Sequence, residues 1–98
     1  MPIFVIMGNL TEKGIKTIKD APKRQNQAEE IIKSVGGKLL GLYYTFGKYD
    51  WVALVDGPSL EAAMKALFIF GKGGTNRTRT LVAITAEEVN KIVGELPD

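Results

Sequence analysis

The residues best able to do chemistry are Tyr49 and Asp50, which follow Gly47-Lys48 between two apolar runs. In a functional reading Asp50 is an anchor or base at the mouth of a pocket and Tyr49 lines it. In the structural reading Asp50 accepts backbone N–H bonds in a turn and Tyr49 packs over it; turn chemistry accounts for both residue types. A second set is Arg24, Arg77 and Arg79. Residues 77 and 79 are two apart on an expected strand, so they share a face and can present a fork to a carboxylate or phosphate. Charged side chains on an edge strand also guard against aggregation, and an ion pair between subunits fits as well. Arg24 stands near the start of an expected helix, where a cation gains nothing from the helix dipole, so a specific partner is expected, Asp20 or Asp50. Asn9, at the end of the first apolar run, is either a polar group at a pocket rim or a strand-terminating cap. Tyr43 and Tyr44 suit a core or interface better than acid catalysis.

Two further stretches invite a ligand and explain themselves more simply. Gly71-Lys72-Gly73-Gly74-Thr75 offers consecutive backbone N–H groups to an anion, but it follows a helix and lacks P-loop spacing. A helix C-cap with a loop after it covers the same residues. The basic run Lys13, Lys16, Lys19, Lys23 and Arg24 is diluted by Glu12, Glu29 and Glu30 and carries no interleaved aromatics, which is the pattern of a solvated face.

The 98-residue chain contains no cysteine and no histidine. Thiolate chemistry, disulfides, the usual zinc sites and an imidazole base are therefore excluded, and nothing in the residues asks for a metal or a cofactor. A formal net charge of +2 is too mild to announce a nucleic-acid or membrane partner. The N-terminal apolar run is short and has no basic segment before it, so it reads as a strand, and a cytoplasmic location is expected.

These residues must be positioned by a regular alternation of elements. Residues 2–9 read as a strand. Thr11 is a fair cap for a short helix with Ile15 and Ile18 on one side; Asp20 is expected to cap the next helix, whose first turn takes Pro22. There Ala28, Ile31, Ile32 and Val35 recur with helical spacing until Gly36-Gly37 ends it. Residues 38–46 and 50–56 form a hairpin about Gly47, whose turn needs a positive φ. Ser59 caps a helix running to about Phe70, with Leu60, Ala63, Met64 and Leu67 as its expected stripe. Residues 77–84 make the fourth strand. Thr85 and Glu88 open a last helix whose stripe is Val89, Ile92, Val93 and Leu96. The order βαββαβ gives, for a single domain over residues 1–98, an α+β ferredoxin-like fold, its antiparallel sheet carrying the first and third strands at the centre.

In that topology both main helices cover one face of the sheet, yet both faces are apolar. Ile3, Val5 and Met7 alternate with Phe4 and Ile6; Trp51, Ala53 and Val55 alternate with Val52 and Leu54. Strict alternation in the second strand puts Leu40, Leu42, Tyr44 and Phe46 on one side and Leu39 and Tyr43 on the other. A second apolar face needs a cover: a second copy stacked sheet to sheet, or a terminal helix folded over it within one chain.

Asn9-Leu10-Thr11, Gly14-Ile15-Lys16, Pro22-Lys23-Arg24, Gly47-Lys48-Tyr49-Asp50 and Asn76-Arg77-Thr78 together resemble the GYD domain family over nearly the whole chain. Trp51 is bulkier than the aliphatic residue expected there. The resemblance implies a dimeric α/β barrel, in agreement with the two-sided sheet, and no particular reaction, substrate or cofactor. Read from their own chemistry, Asn9, Arg24, Tyr49, Asp50 and Arg77 form a candidate ligand-binding set near the rim of a pocket between sheet and helices. Three functions then stand: a homo-oligomeric small-ligand-binding or regulatory module without catalysis, a cofactor-independent oxygenase or isomerase, and a purely structural assembly unit. In the second, similarity to small dimeric-barrel oxygenases gives the Asn9 amide a carbonyl or dioxygen to orient, with Asp50 or a tyrosine as base.

Overall fold

The computed structural model describes residues 2–98. Strand β1 (Ile3–Leu10) leads into a short helix α1 (Glu12–Lys16), and a single 3-10 turn (Ile18–Asp20) runs directly into α2 (Ala21–Ser34). Strands β2 (Lys38–Tyr44) and β3 (Trp51–Asp56), helix α3 (Leu60–Lys72), strand β4 (Asn76–Ala83) and helix α4 (Ala86–Gly94) follow. All pairings are antiparallel and the sheet order is β2-β3-β1-β4, which is the expected ferredoxin-like arrangement with β1 and β3 inside.

Local chemistry explains most boundaries. Thr11, Ser59 and Thr85 each accept a bond from the N–H three residues on, satisfying a donor that the first helical turn leaves open. Helix α2 ends where Gly36 takes φ 84° and Gly37 N–H returns to the Ile32 carbonyl. Gly47, at φ 101°, turns the chain between β2 and β3. Asp20 differs from expectation: its side chain caps nothing. The 3-10 turn before α2 already holds Asp20 at φ −86° and ψ 0°, away from the extended backbone from which a cap reaches back.

The core lies between the sheet and helices α2 and α3. Phe4, Ile6, Ala53 and Val55 from the sheet meet Ile32 of α2 and Ala66 of α3, with Leu39, Leu42, Trp51, Ala63, Leu67 and Phe70 packed around them. The space left among these side chains is about 20 Å³, room for roughly one water molecule. Two expectations about faces are corrected here. In β2 the register jumps from Leu39 opposite Val55 to Gly41 opposite Leu54, a bulge at Leu40. The extra residue reverses the alternation, so Leu39 joins Leu42 and Tyr44 on the helix side, while Tyr43 stands opposite Val52 on the other side. In α3 the core face is Ala63, Ala66, Leu67 and Phe70; Leu60 and Met64 are exposed. The helix is apolar nearly all round, and the small Ala63 and Ala66 are the side that permits close approach to the sheet.

The opposite face of the sheet carries Ile3, Val5 and Met7 of β1, Val52 and Leu54 of β3, Tyr43 of β2 and Leu81 of β4. Tyr43 and Leu81 are more than half exposed. Helix α4 does not fold back over them, since every one of its residues is itself exposed. Among the described residues no helix is long and apolar enough to cross a membrane.

Candidate functional site at the carboxyl end of the first strand

Asp50, Trp51, Asn76 and Thr11 meet at one end of β1, held by hydrogen bonds between segments far apart in the chain. Asp50 is the centre. Its N–H donates to the Gly8 carbonyl at 2.8 Å, its carbonyl accepts from Thr45 N–H at 2.9 Å, and its Oδ2 accepts the Leu10 N–H at 2.8 Å. The N–H that the carboxylate accepts therefore belongs to the neighbouring strand, not to the hairpin turn. Thr45 Oγ1 donates to the Tyr49 carbonyl at 2.6 Å, closing the loop on itself. Lys48 Nζ lies 5.6 Å from the centre of the Tyr49 ring, within cation–π range.

Beside Asp50, Trp51 points into the helix side of the sheet and crosses Gly8, its partner on β1. A Cβ at Gly8 would overlap the indole, so only glycine leaves the ring room. The indole N–H donates to Asn76 Oδ1 at 2.8 Å, and Asn76 Nδ2 in turn donates to Thr75 Oγ1 at 3.2 Å. This link joins β3 to the start of β4 across β1. Sequence reasoning marked Trp51 for its size and Asn76 for its place in a motif, but not the pairing. The usable signal was a glycine inside an otherwise apolar strand, which marks close approach by a neighbour.

The glycine-rich loop docks on α1. Thr11 N–H donates to the Thr75 carbonyl at 3.0 Å, Thr11 Oγ1 to the Gly74 carbonyl at 2.7 Å, and Lys13 Nζ to the Gly73 carbonyl at 3.1 Å. A Cβ at Gly14 would collide with the Thr75 carbonyl, which explains a second glycine. At the other end of α1, Arg24 supplies the last carbonyls: Nη1 donates to Thr17 O and Thr17 Oγ1, both at 3.0 Å, and Nη2 to Gly14 O at 3.4 Å. Its partner is thus a helix C-terminus, where a cation is favoured, and not Asp20 or Asp50.

Asn9 and Arg77 are cross-strand neighbours on the open face of the sheet, with Arg79 opposite Met7. Both arginines are exposed. The structure therefore brings Asn9 beside Arg77, and Asp50 against the same end of β1, while Arg24 stands behind α1. A separate open groove of about 360 Å³ lies between α2 and β2, lined by Gln25, Asn26, Glu29, Leu39, Leu42 and Tyr44. Gln25 Nε2 donates to the Tyr44 hydroxyl across it at 3.2 Å.

A protein of Thermus thermophilus, named glutamine synthetase and cystathionine beta-lyase binding protein, is 27% identical over 90 residues. The match covers 91% of this chain and 95% of that protein. The family model for the GYD domain matches residues 4–93, a span that runs from β1 into α4 and takes in Gly8, Asp50, Trp51 and Asn76; the chain belongs to the GYD domain family.

Proposed function

We propose that this chain is a non-catalytic, self-associating regulatory module of the cytoplasm that acts by docking on a protein client. One observation carries the reading. Leu60, Met64 and Phe68, spaced four apart along the outer side of α3, are 62%, 52% and 68% exposed. A line of large apolar side chains at helical spacing, facing away from the core, is what a partner surface reads in a helix. It lies on the opposite side of the molecule from the open sheet face, so one surface serves self-association and the other a client. The name of the Thermus relative supports a protein client, and glutamine synthetase and cystathionine beta-lyase of the source organism are the first two to test.

The polar cluster supports the non-catalytic part. Asp50 spends a carboxylate oxygen on the Leu10 amide, and Arg24 is committed to the end of α1. A second reading, a small polar ligand, draws on the open groove between α2 and β2, where Gln25 meets the Tyr44 hydroxyl. In that reading Asn9, Arg24, Tyr49, Asp50 and Arg77 form or support a further rim at the end of β1.

The test is a titration of each enzyme with the purified chain, followed by interferometry or calorimetry, in parallel with Phe68→Ser. Binding that the substitution weakens tenfold or more supports the client reading. Absence of binding to both enzymes at 100-fold excess, with a thermal shift from a small metabolite instead, moves the weight to the groove.

A further inference from the structure

We propose that the free edge of β2 takes up an extended peptide segment of a protein partner as a fifth strand, beside the groove between β2 and α2. This surface is distinct from the outer face of α3, and the two stand or fall separately. Among the described residues β2 pairs only with β3, so alternate backbone N–H and C=O groups along its other side point outward. Donors and acceptors at strand spacing match one kind of occupant, another extended backbone.

The two edges of the sheet differ in what they present. β4 carries the exposed Arg77 and Arg79, charges of the kind that keep a foreign strand away. On β2 the bulge at Leu40 interrupts the first part of the edge and leaves Gly41, Leu42, Tyr43 and Tyr44 in regular register with β3. None of these is charged, and the fully exposed Phe46 stands just beyond them. Over this stretch the groove has Leu39, Leu42 and Tyr44 on the strand side, and Gln25, Asn26 and Glu29 on the helix side. A strand added to the edge turns alternate side chains toward that groove and the others toward Tyr43 on the open face. A small ligand in the groove would leave the edge backbone unused. Glu29 is the one charged residue lining the groove, and its contact with Lys33 at 3.8 Å is an exposed pair of little strength. The segment that fits is therefore β-branched and uncharged along most of its length, with a lysine or arginine facing Glu29.

A random dodecapeptide phage library panned on the wild-type chain supplies the probes. Selected peptides are synthesised as they stand, with N-methyl groups on one or the other set of alternate residues, and with the basic residue changed to glutamate. Binding is measured to wild type, Glu29→Lys and, as a control on α4, Lys91→Glu, and amide NMR maps the contact. Strand addition predicts slowed exchange at the amides of Gly41 to Tyr44 and at least tenfold weaker binding for one N-methyl set and not the other. It also predicts at least tenfold weaker binding to Glu29→Lys, partly restored by the glutamate peptide, and no change with Lys91→Glu. If both N-methyl sets bind like the parent, the groove reads side chains alone and strand addition is overturned. It is equally overturned if the peptides contact only α3 or the open sheet face, or if the library yields nothing. Slowed exchange of the same amides at rising concentration without peptide makes the occupant a second copy, and the peptide proposal fails.

Discussion

Trp51 lies across the backbone of Gly8 on the adjacent strand, so close that a single methyl group on Gly8 would occupy the volume of the indole. The ring is also tied in place by the bond from its N–H to Asn76. Gly8→Ala therefore cannot be absorbed by a small shift. It should cost about 1–3 kcal/mol, the range for overpacking a filled site. Combining it with Trp51→Val should recover part of that loss, and a double-mutant cycle in urea measures the coupling.

Asp50 gives a sharper pair of variants. In Asp50→Asn an amide oxygen can still accept the Leu10 N–H, so the loss should be below about 1 kcal/mol. Asp50→Ala leaves that half-buried amide without its partner and should cost about 1–3 kcal/mol. Faster hydrogen exchange at Leu10 in the alanine variant, and not in the asparagine one, is the local signature.

Arg24 spans two backbone carbonyls and a hydroxyl with the two arms of its guanidinium. Arg24→Lys has one nitrogen for three acceptors and should retain only part of the effect. Arg24→Ala should cost about 1–2 kcal/mol and fray α1, seen as loss of exchange protection confined to residues 12–20.

The open sheet face and the outer face of α3 should fail separately. Leu54→Glu places a charge in the middle of the apolar face and should abolish self-association in sedimentation, leaving the circular dichroism of the monomer intact. Phe68→Ser should leave the sedimentation coefficient of the free protein unchanged, since its side chain is exposed and away from the sheet.

The order of the elements, the caps at Thr11, Ser59 and Thr85, and the centrality of β1 and β3 were legible because each follows from local periodicity and local donors. The faces of β2 were not. A bulge is one unpaired residue, and Leu40 among Leu39, Gly41 and Leu42 carries no mark that it is the unpaired one. The core side of α3 was hidden for a related reason, since a helix apolar all round offers no preferred direction. At the site, the residue types were visible but their partners were not. Asp50 finds Leu10, Trp51 finds Asn76, and Arg24 finds the end of α1, and each choice depends on which strand lies beside which.

The sheet order also governs how the protein can be made. Of the four strands β1 leaves the ribosome first, yet one of its two edges is completed only by β4, through pairs such as Ile3 with Ala83. Until residue 83 has emerged, a strand apolar on both sides must wait with half of its backbone hydrogen bonds unmade. Closure of the sheet is thereby postponed until β4 has been made, a topology that favours slow closure and leaves the apolar nascent strand open to contact with its neighbours meanwhile.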